Sequence, residues 1–147
     1  QELDQRAGID ALKEFYQTIG YGNQDLSGGI SEFWMESSLK ISALEQVQLL
    51  KKFYTNEWGL EDEHVQTVKE ALRLSDPEHS GLDGAVLSGK TGTGIVNGQS
   101  VNGWFIGYAE SHGNTWFFAL NLQGNDHADG LTAGEITRKI LADRQIL

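Results

Sequence analysis

The sequence predicts a mixed α/β fold of the α+β type, with a helical region, then a three-stranded antiparallel meander and a C-terminal helix. Three observations predict it. Apolar residues recur at helical spacing in the first half of the 147 residues. Three short runs rich in β-branched and aromatic residues follow, separated by turn residues. A helical stretch then closes the chain. We expect one domain, mainly helical over residues 1–77 and built of sheet and last helix over 84–147.

The first strong helix signal is the stretch IDALKEFYQTIG. Its apolar residues recur at i, i+3, i+4 and i+7, the spacing of one buried helix face: Leu12, Phe15, Tyr16 and Ile19. Gly20 is a typical helix stop. The preceding QELDQRAG reads as helix from its first residue without a cap and holds no signal peptide, as expected of a mature or truncated chain.

Two more helices are predicted before residue 77. Ser42 and Glu45 form a capping box that opens one of them, and its apolar face continues through Val47, Leu50 and Tyr54. The next helix is predicted over Asp62 to Leu74, with Val65, Val68 and Leu72 inward and Pro77 marking the stop. Between the first and second of these helices, YGNQDLSGGISEFWMESSLKI lacks a steady period. It predicts a long loop, and such loops are often functional.

The second half carries strand signals in AVLSGKTG, GWFIGYAE and TWFFALNL, with the connectors IVNGQSVN and SHGN supplying turn residues. In the third run both alternating faces are apolar, so we expect helices on both sides of the sheet. Thr132 and Glu135 predict a capping box for the last helix, with Leu131 and Ile136 as its hydrophobic staple.

The composition excludes several functions. A net charge of −10, from 11 basic and 21 acidic residues, argues against nucleic acid and against anionic membranes as partners. Without cysteine the chain has neither disulfides nor thiolate metal sites. The four histidines do not cluster in sequence, so we expect neither a metal nor another cofactor. No apolar run approaches the ~18 residues of a membrane span.

The stretch GAVLSGKTGTG, from Gly84 to Gly94, begins with a match to the phosphate-loop pattern G-x-x-x-x-G-K-[ST]. A phosphate loop needs a buried strand before its glycines and a helix directly after the Lys-Thr pair. Here the strand-like residues lie inside the pattern, and the glycine-rich GTGIVNGQ follows. The context therefore argues against a nucleotide site.

A strand over Ala85 to Thr91 is the alternative. Lys90 then offers a cation and Thr91 a hydroxyl to an anionic group, while bare glycines let a ligand approach the backbone. Exposed N–H groups near Thr93 can stabilise a developing oxyanion. A glycine-rich hairpin with a solvated lysine stays open as the other interpretation.

Other stretches carry a resemblance. SGKTGTG followed by GWFIGY resembles the Lys-Thr-Gly strand of the penicillin-recognising serine proteins. YGN at 21–23, FWMESSLKIS at 33–42 and LEQV at 44–47 resemble class D serine β-lactamases, and equally the sensor domains of β-lactam sensor-transducer receptors, which share that fold. The resemblance covers nearly the whole chain in the right order.

The resemblance implies a β-lactam antibiotic as partner and a role for each matched residue. Lys90 and Thr91 would hold the substrate carboxylate, within a motif completed by Gly92, and the N–H of Thr93 would form half of the oxyanion hole. Trp34 would steady a carbamylated catalytic lysine. The residues that would line the site from the YGN motif are Tyr21, Gly22 and Asn23.

The chain departs from the family pattern in its nucleophile. Ser37 to Lys40 spells Ser-x-x-Lys and Ser100 to Asn102 spells Ser-x-Asn, but both lie in the wrong order relative to the other motifs. We therefore expect a single partial domain, the C-terminal half of the fold, without its two N-terminal strands and nucleophile helix, and inactive alone. The arginine that clamps the substrate carboxylate in many class D enzymes matches a place near Ala133, whereas Arg138 lies a turn further on.

Three hypotheses follow for the parent protein. It is a class D β-lactamase, or a receptor that is acylated and turns over slowly, or this chain is a fragment that acts by association. Association would use an exposed sheet edge or the missing N-terminal half. The resemblance implies a secreted protein or one on the extracellular face of a bacterial membrane.

Overall fold

The computed structural model describes residues 2–74 and 84–147. Within them the order of elements is the predicted one, although Pro77 lies outside the described residues. The helices are α1 Glu2–Ala7, α2 Ile9–Ile19, α3 Ala43–Tyr54, α4 Asp62–Leu72 and α5 Gly130–Asp143, and the strands are β1 Val86–Val96, β2 Gln99–Ser111 and β3 Asn114–Gln123. As predicted, residues 21–42 contain neither helix nor strand. No described helix is long and apolar enough to cross a membrane.

The three described strands form an antiparallel sheet in the order β1-β2-β3. Two-residue turns join them, and both central residues of each turn have positive φ: Asn97 at 52° with Gly98 at 79°, and His112 at 52° with Gly113 at 75°. Such turns match the right-handed twist of paired strands. The first turn pairs Val96 with Gln99. Strand β1 therefore continues five residues beyond its predicted end at Thr91.

Helices cover both faces of the sheet, as predicted. One face packs on α5 and forms the core cluster of Leu87, Phe105, Ala109, Ala133 and Leu141. On the opposite face the ring of Tyr54, from α3, meets the rings of Tyr108 and Phe117 at centroid distances of 5.0 and 5.4 Å. Both faces of the sheet are thereby desolvated, which favours folding in proportion to the apolar area buried.

The predicted inward faces of two helices are only partly right. Ile19 of α2 and Val65 of α4 are buried, but Phe15 is 41% exposed and Val68 45% exposed. Helix α4 needs only a narrow apolar stripe to pack, because its C-terminal end contacts only the edge of the sheet. There the backbone of Arg73 forms a single antiparallel β-bridge with Ser88 of β1. Helical spacing identifies the side of a helix but not the width of its contact.

One predicted capping box is confirmed and the other is wrong. At α3 the Ser42 Oγ accepts from the Glu45 N–H at 3.2 Å, and the Glu45 carboxylate accepts from the Ser42 N–H at 2.8 Å. Helix α5 begins earlier than the Thr132 box requires. Its N-cap is Asp129, which accepts from the Thr132 N–H at 2.8 Å. Because the helix already covers position 131, Leu131 is exposed and forms no staple.

The early start of α5 has a tertiary cause. The Gly130 N–H donates to the Thr93 Oγ of β1 at 3.0 Å, and a Cβ at Gly130 would lie 2.7 Å from the Gly92 carbonyl oxygen. The missing side chain thus lets the helix begin directly against the strand. Local sequence signals at Thr132 and Glu135 are overridden by this contact.

Candidate functional site

A groove of about 830 Å³ lies between β1 and the irregular segment that precedes α3. It is lined from the irregular segment by Tyr21, Trp34, Met35, Glu36, Leu39, Lys40 and Ile41, from α3 and its cap by Ser42, Ala43 and Gln46, and from the sheet by Lys90, Thr91, Gly92, Thr93, Gly94, Asn102, Trp104, Ile106, Asn121 and Gln123. The groove thus brings together residues that are more than fifty positions apart in sequence. Concave, mainly apolar grooves with a few polar groups are typical of small-molecule sites.

Strand β1 forms one wall of the groove. Successive β1 residues pair with β2 residues on opposite faces of the sheet. Lys90 pairs with Ile106, which lines the groove, and Thr91 pairs with Phe105, which lies in the core. The Lys90 Nζ donates to the Thr91 carbonyl oxygen at 2.6 Å, which keeps the ammonium group along the strand. This wall carries a positive charge beside an accessible backbone.

The glycine after Lys90 and Thr91 keeps the strand open. A Cβ at Gly92 would have only the Trp104 Cβ within 4 Å, at 3.8 Å. The next residue, Thr93, uses its hydroxyl to accept from α5, as described above, so its side chain is engaged on the far side. The backbone of Gly92 and Thr93 therefore supplies the wall at this point, and the main chain can approach a ligand closely.

Trp34 forms part of the opposite wall and is 37% exposed. Its neighbour Phe33 is buried and meets the indole edge-on at a centroid distance of 4.6 Å. Tyr16 of α2 packs on the other side of Phe33 at 5.9 Å. The buried phenylalanine therefore anchors the tryptophan, whose indole is left at the groove.

Of the three residues of the YGN motif, Tyr21 lines the groove and Gly22 and Asn23 do not. Tyr21 lines the groove and stacks on Tyr16 with centroids 4.8 Å apart. Burial raises the pKa of Tyr21, and burial, helped by the charges of Tyr21 and Asp4, raises the pKa of Tyr16 to about 12. Both phenols therefore keep their protons to a higher pH than an exposed tyrosine does.

Gly22 and Asn23 lie outside the lining and hold the base of what we call the Trp34 loop, residues 24–39. The Asn23 Oδ1 accepts from the Lys40 N–H at 2.9 Å and its Nδ2 donates to the Ser38 carbonyl at 2.9 Å. Gly22, at φ 48°, passes so close to Lys40 that a Cβ would lie 2.0 Å from its carbonyl oxygen. These two residues close the loop, whereas the resemblance implied that they line the site.

A polar chain that the sequence did not reveal joins the Trp34 loop to the sheet. The Asn102 Nδ2 donates to the Glu36 carboxylate at 2.6 Å, and the Asn102 Oδ1 accepts from the Asn121 Nδ2 at 2.5 Å. The Gln123 side chain donates to the Asn121 Oδ1 at 3.1 Å. The sequence signal that could have revealed this chain is the presence of Asn102 and Asn121 in strands that are otherwise largely apolar.

Neither serine of the two rejected motifs, Ser37 or Ser100, lines the groove. Ser37 and Lys40 lie in the irregular segment, so no helix presents them together. Ser42 is the one serine among the described lining residues, and its Oγ lies 2.7 Å from the Glu45 carboxylate that completes the cap. A nucleophilic serine needs an adjacent base and a free approach, and Ser42 is held as a cap instead.

Among the described residues we find neither a group of metal ligands nor an arginine that lines the groove. Within residues 2–74 and 84–147 no group of three His, Cys, Asp or Glu side chains is placed to hold a metal ion. Ala133 is fully buried in the core, and the Arg138 guanidinium stacks over the Phe105 ring at 5.7 Å without lining the groove. The cations that do line it are Lys40 and Lys90.

Residues 1–142 match the family described as the penicillin binding protein transpeptidase domain. The regulatory protein BlaR1 of Bacillus licheniformis is 45% identical over 146 residues, which are 99% of this chain and 23% of that protein. The solved C-terminal domain of the Bacillus licheniformis BlaR penicillin-receptor superposes with a TM-score of 0.88 at 44% identity, over 99% of this chain and 57% of that one. A solved class D β-lactamase of Bacillus subtilis gives 0.85 at 32% identity, over 99% and 57%.

Proposed function

The chain belongs to the penicillin binding protein transpeptidase domain family, and on that premise we propose that its groove is one wall of a β-lactam site. The observation that carries the proposal is the meeting of the Lys90 strand with the Trp34 loop across one groove. Lys90 and Thr91 hold the carboxylate of the antibiotic, and the backbone at Gly92 and Thr93 faces the lactam carbonyl. A cation beside bare backbone suits an anionic ligand whose carbonyl gains negative charge during reaction.

In this proposal the nucleophile comes from a longer parent protein, of which this chain is a part. Ser42 is held as a helix cap, and the chain spans little more than half of the solved structures it resembles. A serine of the parent attacks the lactam carbonyl carbon, the ring C–N bond breaks, and the ring nitrogen takes up the proton. Trp34 then borders the basic lysine that serves this serine, which fits its indole position at the groove.

The sensor alternative is favoured over the hydrolase. The chain is 45% identical to the regulatory protein BlaR1 and 32% identical to the class D enzyme of Bacillus subtilis. Arg138 is stacked over the Phe105 ring and does not line the groove, which leaves Lys90 as the carboxylate partner on the sheet side. We place the parent on the extracellular face of a bacterial membrane, where antibiotics arrive before entering the cell.

The free edge of the sheet is part of the same proposal. In the described residues β3 pairs with β2 alone, and Trp116 on β3 is 45% exposed. Unpaired strand edges pair readily with further strands. We propose that this edge carries the N-terminal strands of the parent, so the chain alone self-associates. A concentration-independent monomer in sedimentation velocity would contradict that.

Penicillin labelling tests the proposed function. A fluorescent penicillin is incubated with the purified chain and with the parent, and both are resolved on a denaturing gel. The parent becomes covalently labelled with a bond stable for many minutes, as a sensor requires, and nitrocefin is consumed in about one equivalent. The chain alone stays unlabelled. Label on the chain alone, or a parent that takes no label, refutes the assignment, while rapid nitrocefin turnover supports the hydrolase instead.

A further inference from the structure

We propose that Glu36 and Asn102 form a latch that positions Trp34 against the Lys90 strand, a role that deepens the proposed function and rests on it. Glu36 lies two residues after Trp34 and reaches across the groove to the sheet. Its carboxylate accepts the 2.6 Å hydrogen bond from the Asn102 side chain, and a charged acceptor makes such a bond stronger than a neutral pair.

The backbone conformation of Glu36 fits a residue that its contacts hold in place. Glu36 has a φ of 51°, in the left-handed region that few residues other than glycine, asparagine and aspartate enter. A residue stays there only when its surroundings over-determine it. The Trp34 loop therefore turns at Glu36 to bring the carboxylate to β2.

The amides behind Asn102 are oriented by the carboxylate. Because a carboxylate only accepts, Asn102 presents its Nδ2 to Glu36 and its Oδ1 to the Asn121 Nδ2, and the Asn121 Oδ1 then accepts from Gln123. The chain of donors runs in one direction across β2 and β3. With the loop docked, this ordered chain holds the Asn102 side chain in one orientation.

Strand β1 is shaped to admit the latch. A Cβ at Gly94 would lie 2.2 Å from the Glu36 Oε1 and 2.7 Å from its Cδ, whereas a Cβ at Gly92 would meet nothing closer than 3.8 Å. Neither glycine has a positive φ, so alanine fits the backbone at both positions. Of the two positions, a Cβ at Gly94 alone would displace the Glu36 carboxylate, so Gly92→Ala is a matched control for Gly94→Ala.

The first experiment removes the latch from the sheet side in the parent protein. Asn102→Leu deletes the donor, and Asn125→Leu makes the same change on the exposed loop before α5. Hydrogen exchange by NMR follows the amides of Met35 and Leu39, which bond within the loop to Glu32 and Phe33 at 2.9 Å. We expect both amides to exchange about tenfold faster in Asn102→Leu, with α5 amides unchanged. Asn125→Leu leaves all of them at wild-type rates.

The second experiment leaves every hydrogen-bonding group in place, in case Asn102→Leu fails to fold. Gly94→Ala displaces the Glu36 carboxylate, and the indole N–H signal of Trp34, assigned with Trp34→Phe, shifts or broadens while that of Trp116 stays in place. Gly92→Ala leaves the Trp34 signal unmoved. A purely structural role would change the melting temperature alone and leave the indole signal where it was.

These outcomes separate the latch from the proposed function, since none of them involves an antibiotic. Unchanged exchange at Met35 and Leu39 in a folded Asn102→Leu variant, or equal indole shifts in Gly94→Ala and Gly92→Ala, overturns the latch and leaves the β-lactam site standing. A working latch in a parent that takes no penicillin label refutes the proposed function instead.

Discussion

The two walls of the groove are each stabilised by different kinds of interaction. The sheet wall has continuous backbone pairing, two tight turns and a core of buried apolar side chains beneath it. The Trp34 loop has neither helix nor strand and is closed by single contacts, such as the Asn23 amide on Ser38 and Lys40. The difference indicates one rigid wall and one that opens when a few side chains are lost.

Truncating the core beneath the sheet should give the largest effect. Phe105 is 1% exposed and packs against α5 and Phe118, so Phe105→Ala is expected to cost about 3–5 kcal/mol of global unfolding free energy in urea. Phe15→Ala, at the exposed position on α2, is the matched control and should cost less than about 1 kcal/mol. Equal costs would show that the sheet is not the stable wall.

The base of the Trp34 loop should break locally at Gly22. Gly22→Ala combines a positive φ with a Cβ against the Lys40 carbonyl, and we expect a local cost of roughly 2–3 kcal/mol. Gly29→Ala has the same handedness at φ 87° but open space around it, which limits its cost to about 1 kcal/mol. Exchange of loop amides reports the difference. If Gly22→Ala accelerated amide exchange in the sheet as much as in the loop, the claim that the two walls are independently stable would be contradicted.

Alkaline pH should loosen the aromatic support of the loop. Burial raises the pKa of Tyr16 to about 12 and also raises that of Tyr21. The folded forms hold their protons longer than the unfolded chain, so this stability is full below about pH 10 and is lost as pH rises toward 12. The pKa values of Tyr54 and Tyr108 are raised as well, so phenolate absorbance should titrate late for all four tyrosines. Tyr16→Phe should remove one late step, and Tyr16 and Tyr21 are followed through such variants. Titration of both near pH 10 in the folded chain would contradict the buried stack.

Acid should give the smallest loss of stability, and this loss should begin in the Trp34 loop and at the N-cap of α3. Hydrogen bonds from Ser27 lower the pKa of Asp25, and those from Ser42 lower the pKa of Glu45. Their stabilisation is present above the unfolded values near 3.8 and 4.5 and is lost as pH falls through the lower folded values. Protection of the Ser27 and Ser42 amides should fall as the pH drops below 3.8 and 4.5, respectively, while β2 amides keep theirs. Equal loss in β2 would remove the distinction.

Sequence patterns predicted the sheet wall better than the loop wall. Three runs of β-branched and aromatic residues, separated by two connectors with turn residues, predicted three strands, because both signals depend on neighbouring residues. The Glu36–Asn102 contact joins positions 66 apart, and no local pattern encodes it. The α5 cap was misplaced for the same reason, since contact with β1 decides where that helix begins. Anion binding by Lys90 and Thr91 was inferred from the strand pattern, whereas the antibiotic carboxylate and the role of Trp34 came from the resemblance. All of these site roles stay predictions.

The rate of penicillin acylation in the parent tests the central claim most directly. Lys90→Ala should slow covalent labelling by about a hundredfold, because the groove loses the cation that holds the antibiotic carboxylate. Lys52→Ala, which removes an exposed cation from α3, is the control and should label within about twofold of the wild-type rate. Labelling of Lys90→Ala at the wild-type rate would contradict a β-lactam site at this strand.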